Sequence, residues 1–369
     1  MRRRFTINNT TSVNINKYMT IVALEDNVKC TIPVFNMIGV GLIKPVFYSI
    51  NGEKWIETTG IDLFINKGET VSIKAFGVKN DNFKGNLFNI KNKYNLIGNI
   101  MSLIYADNIT EQSIADSSLS YLFKNTSVVK VSPNFLPATT LANSCYSHMF
   151  DGCTSLITAP ELPATTLASY CYTSMFRNCI SLTNAPKLPA TVLANNCYDS
   201  MFENTNIFPD CSNIDFSRPD IIESGGLKGL FAGTNITDED LYNILPINPN
   251  TGNYWLPSTT LYKDCYARMF YGCTNLTTAP ELPATILAEH CYSFMFYGCS
   301  NLNYVKALFT NNSLHGIDNR PLYTSSWLSD VSSTGTFVKS KDATWNVRGK
   351  SGIPDGWTVV NDGEENGGG

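Results

Sequence analysis

Cysteine is the residue type whose spacing in this chain suggests chemistry. Nine of the eleven Cys occupy two recurring positions eight residues apart: Cys145/Cys153, Cys171/Cys179, Cys265/Cys273 and Cys291/Cys299, with Cys197 alone. Thiols at a fixed interval could close disulfides, hold zinc or supply a thiolate nucleophile. A bridge or a metal site needs both partners in every copy. Here Thr126, Thr205 and Thr234 stand in for the second Cys, and Ser118 and Gly226 for the first. A ligand does not trade places with Thr or Gly, whereas a small buried residue does. The expectation is therefore nine reduced structural thiols, no metal and no cofactor, as in a chain assembled in a reducing compartment.

A nucleophile would need a base. His148 follows Cys145 by three residues and His290 directly precedes Cys291, but the matching positions elsewhere hold Ser174, Ser200 and Arg268 for the first, and Tyr170 and Asn196 for the second. Carboxylate pairs do not recur. Asp238-Glu239-Asp240 follows Ile236-Thr237 and reads as the acidic first turn of a helix. Lys79 to Gly85 lacks the ligand spacing of a calcium loop. No catalytic residue emerges, so the chain is expected not to be an enzyme.

The elements that carry these residues are repeats. The chain reads LPATTLANSCYSHMFDGCTSLITAPE over 136–161 and LPATTLASYCYTSMFRNCISLTNAPK over 162–187. It returns to the pattern from 188, over 256–281 and over 282–307. Anchor phenylalanines fall at Phe123, Phe150, Phe176, Phe202, Phe231, Phe270 and Phe296, at spacings of 27, 26, 26, 29, 39 and 26 residues. Within one unit Leu141, Ala142, Cys145, Tyr146, Met149 and Phe150 suggest one face of a short helix, with Thr139 or Thr140 as its cap. Two residues after every anchor comes Gly or Asn: Asn125, Gly152, Asn178, Asn204, Gly233, Gly272, Gly298. These types suit the left-handed residue that stops a helix. An extended stretch such as Leu156 to Ala159 follows. Each unit thus reads as short strand, turn, helix and stop, and units stacked on one another bury what a single unit cannot.

The pattern LPxTxLxxxCYxxMFxGCxxL resembles the BspA-type (treponemal) leucine-rich repeat, whose AFxxCxxL core is matched by Met149 to Leu156 and its copies. The wording of the repeats resembles proteins encoded by gut Bacteroidota and their crAss-like phages. So does the ending from Thr334 through Phe337-Val338 to Gly352-Ile353-Pro354-Asp355-Gly356-Trp357. The resemblance spans about 100–360 and is weaker before that. It implies an α+β fold, an adhesive or virion-surface role and no known chemistry.

Residues 1–98 follow another pattern. Phe47 to Ile56 reads as a hairpin around Asn51-Gly52, Ile61 to Phe76 as a second hairpin with Gly in the turn, and Tyr18 to Pro33 as alternating strands. The expected organisation is a β-sandwich over 1–98 and a leucine-rich-repeat solenoid over 99–307. A small capping β region over 308–360, with Trp327, Trp345 and Trp357, and a flexible tail over 361–369 complete it. Charged residues make up 16% of the chain against a usual ~25%. The 27 basic and 31 acidic residues leave a net charge of −4, which gives no footprint for nucleic acid. No apolar run is long enough to insert in a membrane. Arg2-Arg3-Arg4 leads into polar residues rather than the core of a secretory signal.

Two stretches, 205–226 and 237–255, break the period, and insertions in such arrays map to one side. Tyr254 and Trp255 end the longer one. Together with Asn303 and Tyr304 they are the candidate interaction residues. The functional expectation is a virion appendage, a head or tail fibre component assembled in the host cytoplasm, of a phage infecting gut Bacteroidota. Its N-terminal domain would bind other virion proteins or form a homo-oligomer such as a trimer, and its repeats would bind host surface glycan or protein. The alternative is a BspA-type adhesin on a bacterial surface.

Overall fold

The computed structural model describes residues 12–33, 46–77, 87–110, 113–207, 224–311 and 323–363. Its first strands are β1 (Met19–Ala23), β2 (Val28–Ile32), β3 (Val46–Ile50), β4 (Ile56–Thr58), β5 (Ile61–Ile65), β6 (Thr70–Lys74) and β7 (Tyr94–Ile97), of which β2 and β7 alternate strictly in burial. After α1 (Ser102–Tyr105) comes β8 (Val128–Val131). An open six-stranded sheet runs β4-β3-β6-β1-β7-β8, and β2 and β5 form a separate antiparallel pair.

This differs from a sandwich closed within residues 1–98. The outermost strand, β8, belongs to the first repeat and pairs in parallel with β7, so the sheet runs past residue 98. The first hairpin forms, with Asn51 and Gly52 both left-handed at its tip. The second does not. β5 pairs with β2 while β6 pairs with β1 and β3. Between them a turn closes with Glu69 N–H donating to the Asn66 carbonyl at 2.9 Å, and it carries the chain from one sheet to the other. Alternation sets which face of a strand is buried but not which strand lies beside it.

The larger correction concerns the repeats. The strand-plus-helix leucine-rich-repeat solenoid does not form. The described residues contain two α-helices, and neither is a repeat helix: α1 precedes the array and α2 (Asp238–Ile244) lies in the 237–255 insertion. Nor is there a continuous repeat sheet. The stretches after the anchors touch by isolated bridges, Lys130 to Thr158 to Asn184, and only at the end do β9 (Tyr304–Ala307), β10 (Gly335–Lys339) and β11 (Trp357–Asn361) make an open parallel sheet.

In place of a helix each unit makes a row of turns. Over residues 144–152 the amides alternate. Ser147, Met149 and Asp151 donate three residues back within the row, while Ser144, Tyr146, His148, Phe150 and Gly152 donate to carbonyls of the next unit at 2.8–3.0 Å. Every fourth residue is left-handed: Ser144, His148 and Gly152 here, and Tyr170, Ser174 and Asn178 in the next row. An α-helix cannot contain such residues. The apolar set at 0, 1, 4, 5, 8 and 9 has a period of four, and a helix of 3.6 residues per turn would rotate that set off one face. All seven Gly or Asn positions after the anchors have positive φ, but they end a turn row rather than a helix.

Rows stack in register, so like sits on like. Phe123, Phe150, Phe176 and Phe202 follow one another with ring centroids 5.5–5.8 Å apart, and Phe231, Phe270 and Phe296 continue at 5.6 Å. Phe88 joins this column from the N-terminal region, 6.0 Å from Phe123. Each fully buried phenylalanine contributes on the order of 1.5–3 kcal/mol. At the far end Trp327, Trp345 and Trp357 are buried, and their indole N–H groups donate to the carbonyls of Gly352, Phe309 and Ser332.

Candidate binding surface

All nine repeat cysteines are buried and free. The second of each pair has a definite task. The Cys153, Cys179, Cys273 and Cys299 thiols donate to the carbonyls of Phe123, Phe150, Phe231 and Phe270 in the preceding row at 3.0–3.1 Å. Where the chain has Thr205 or Thr234, the hydroxyl donates to Phe202 or Phe231 at 2.8 Å. Both are small donors that reach a buried carbonyl, the thiol in the preceding row and the hydroxyl in its own row, so either type fits the position. Burial raises the thiols, Cys153 to about 11 and Cys171, Cys273 and Cys291 to about 12, so none is a poised thiolate. Among the described residues no three His, Cys, Asp or Glu side chains cluster as metal ligands.

The histidines are engaged elsewhere. His148 Nδ1 lies 3.2 Å from Asp151 Oδ2, and His290 Nδ1 3.1 Å from the Ser293 hydroxyl. Neither forms a pair with its neighbouring thiol. Thr237 and Asp240 make a reciprocal capping box that starts α2, as the acidic run suggests.

The four nominated interaction residues divide. Tyr254 is 2% exposed, packs edge-on against Tyr242 and donates its hydroxyl to the Thr278 carbonyl at 2.9 Å. It is a core residue, not a displayed aromatic. Trp255 is half-buried and pairs through its backbone with Glu281. Asn303 is exposed, and Tyr304 is half-buried in β9. Of the two insertions, residues 208–223 lie outside the described set.

Reading down the aligned repeats at the residue after each anchor gives a column that the single-unit view misses: Lys124, Asp151, Arg177, Glu203, Ala232, Tyr271, Tyr297. Five of these side chains are half-buried at the surface next to the buried phenylalanines, Asp151 and Ala232 are buried, and the charged ones meet along the stack. Asp151, itself almost fully buried, accepts from Lys124 Nζ at 3.0 Å, Arg177 Nη2 at 2.7 Å and Arg177 Nε at 3.1 Å. Burial alone would raise this carboxyl. Hydrogen bonds from His148, Arg177 and Lys124 outweigh it and hold Asp151 well below the usual carboxylate range. Tyr121 stacks on His148 at 4.5 Å, with Lys124 over its ring.

At Ala232 the column has a gap, and Arg268 reaches across it. Its Nη2 donates to Glu203 at 3.3 Å while its Cζ lies 4.9 Å over the Tyr271 ring. Tyr271 and Tyr297 then stack at 4.9 Å with ring planes 4° apart. A hydrogen bond from Tyr297 to Asp330 raises the Tyr297 hydroxyl. Phe294, 38% exposed and left-handed at φ 56°, leans on Tyr297. The sequence signal was present, but it becomes visible only when rows are read as neighbours in space.

The strip has its charges neutralised along one half and its aromatics along the other. No helix among the described residues is long and apolar enough to cross a membrane. Compared with protein-family models, with curated proteins and with solved structures, the chain matches none.

Proposed function

We propose that this chain is a non-enzymatic display protein, an appendage component of a phage particle, that holds a rigid stack of turn rows outward to contact a host surface. The observation that carries this reading is how the reactive side chains are used. The second-position repeat thiols, His148 and Asp151 all make structural contacts, while the side chain after each anchor changes from row to row on one outward strip. Stacked repeats with a constant core and a variable face serve recognition. The virion placement rests on the resemblance of the repeat wording to phage-encoded proteins. On this reading the N-terminal sheet attaches to the particle or to further copies of the chain, and the strip around Tyr271, Phe294 and Tyr297 touches host glycan or protein.

Mass spectrometry of purified particles tests the placement, with the chain expected in stoichiometric amounts. Detection only in the host envelope fraction would favour a bacterial surface adhesin. Cell binding by the full chain tests the strip: Phe294→Ser with Tyr297→Ser should reduce binding about tenfold or more, the range of an interface hot spot. Because β8 completes the N-terminal sheet, the full chain is the right material, not halves cut at residue 98.

A further inference from the structure

Three successive rows are interchangeable inside. Cys145, Cys171 and Cys197 share one position, as do Tyr146, Tyr172 and Tyr198, then Met149, Met175 and Met201, and Phe150, Phe176 and Phe202, and all are 0–2% exposed. The backbone ladder between rows is the same at each step. Neither the core nor the ladder therefore distinguishes the correct neighbour of a row from the row beyond it. A chain that skipped one repeat while folding would still place Phe on Phe and Tyr on Tyr.

The outward column does distinguish them. Lys124, Asp151, Arg177 and Glu203 alternate in sign along the stack. Lys124 and Arg177 both bind Asp151, and Glu203 acts on Arg177 from the next row while hydrogen-bonding Arg268 beyond it. If the row of Asp151 were left out, Lys124 would face Arg177. If the row of Arg177 were left out, Asp151 would face Glu203. Each of these two skips sets like charges together, and in the second Asp151 is almost fully buried. We infer that the alternating charges of Lys124, Asp151, Arg177 and Glu203 set the order in which these near-identical repeats stack, blocking the one-repeat skip during folding.

The buried thiols report a skip, because an omitted repeat exposes both of its own: Cys145 with Cys153, or Cys171 with Cys179. The full chain is unfolded under reducing conditions, refolded, pulsed with a thiol reagent and mapped by mass spectrometry. Two variants decide the outcome. The exchange Asp151→Arg with Arg177→Asp keeps composition and net charge but makes the skipped contacts opposite in sign. The inversion Lys124→Glu, Asp151→Lys, Arg177→Glu, Glu203→Lys, with Arg268→Gln, keeps the alternation. The wild-type chain and the inverted chain should refold with these four thiols protected. The exchanged chain should show at least a severalfold larger fraction carrying two labels on one repeat. Equal protection in the exchanged and wild-type chains would overturn the inference, as would labelling of the inverted chain to the level of the exchanged one.

Discussion

Asp151→Asn is the most informative single substitution. The Asp151 side chain is 2% exposed, and it neutralises Lys124 and Arg177, which keep 25% and 32% of their side-chain surface. Removing one member of a sealed ion pair costs about 3–5 kcal/mol, because a charge is left buried without a partner. Here both cations retain a route to water, which lowers the penalty. Charge-assisted hydrogen bonds of this kind contribute about 1.5–3 kcal/mol each, and the amide keeps part of that geometry. The expected loss is about 2–3 kcal/mol, read from urea unfolding. Hydrogen exchange should rise first in residues 144–152. The exposed pair Lys263–Glu289, with side chains 53% and 45% exposed, is the control: Glu289→Gln should leave the urea midpoint essentially where it is, since an exposed pair is screened by solvent. The pH dependence has a definite sign. Because the folded Asp151 carboxyl is held below its unfolded value of about 3.9, its contribution is present above that pH and lost as pH falls through the folded value. The Asn variant lacks that acid-dependent loss. A change below about 0.5 kcal/mol, or an acid limb identical to wild type, refutes the role assigned to Asp151.

Gly152→Val should destabilise more than Gly272→Val. Both positions are left-handed, at φ 74° and 70°, but only at Gly152 would the new Cβ run into a neighbour, Asn125, while at Gly272 the nearest atom is 3.8 Å away. Thermal melts should show strain of about 1–3 kcal/mol at Gly272 and more at Gly152. Cys153→Thr and Cys153→Val should both be tolerated within about 1 kcal/mol, because the Phe123 carbonyl keeps the Thr126 amide at 3.2 Å and a Thr hydroxyl can turn to the carbonyl of its own anchor, as Thr205 and Thr234 do. The comparison is made by urea midpoints. Thr237→Ala removes the capping box of α2 and should cost about 1 kcal/mol, seen as faster hydrogen exchange in residues 238–244. Thiol titration of the native chain should leave the nine repeat cysteines unreactive until denaturant is added, and prompt reaction of any of them would contradict their burial.

The repeat itself was legible, because its signal is composition at fixed spacing. So were the left-handed positions after each anchor, since Gly and Asn are the types that most readily accept positive φ and they alternate at that one site. The helix was not legible as absent. Leu141, Cys145, Tyr146, Met149 and Phe150 satisfy a helical face over two turns. What rules the helix out are left-handed residues such as Ser144, Tyr170 and Ser174, types that give no warning of positive φ. Their conformation is imposed by the next row, whose carbonyls take every second amide, and that is a property of two units together. The N-terminal strands were legible singly, but their partners were not, because β5 and β6 differ in sheet while sharing the same pattern. Tyr254 shows the same limit: an aromatic at the end of an insertion reads as displayed until Tyr242 and Thr278 are seen around it. The outward column lay in plain sight in the sequence, but its meaning depends on Lys124 and Asp151 being in contact across a 27-residue gap.

The alternating amides have an electrical consequence. In the turn column every bond between rows runs one way, from the N–H of a row to a carbonyl of the row that follows in sequence: Tyr121 to Ser147, His148 to Thr173, Ser174 to Asp199, Arg268 to Ser293, Phe294 to Ser325. In the parallel bridges opposite, bonds run both ways and largely cancel. The stack is therefore a macrodipole, as a helix is, but with its positive pole at the C-terminal end of the chain. That pole is covered: residues 350 and 351 bend back so that the Lys350 carbonyl and the Ser351 hydroxyl accept from Leu328 and Ser326. Two such stacks meeting end on would attract in one polarity, tail to head, and repel in the other, so any longer assembly built from them would inherit a direction.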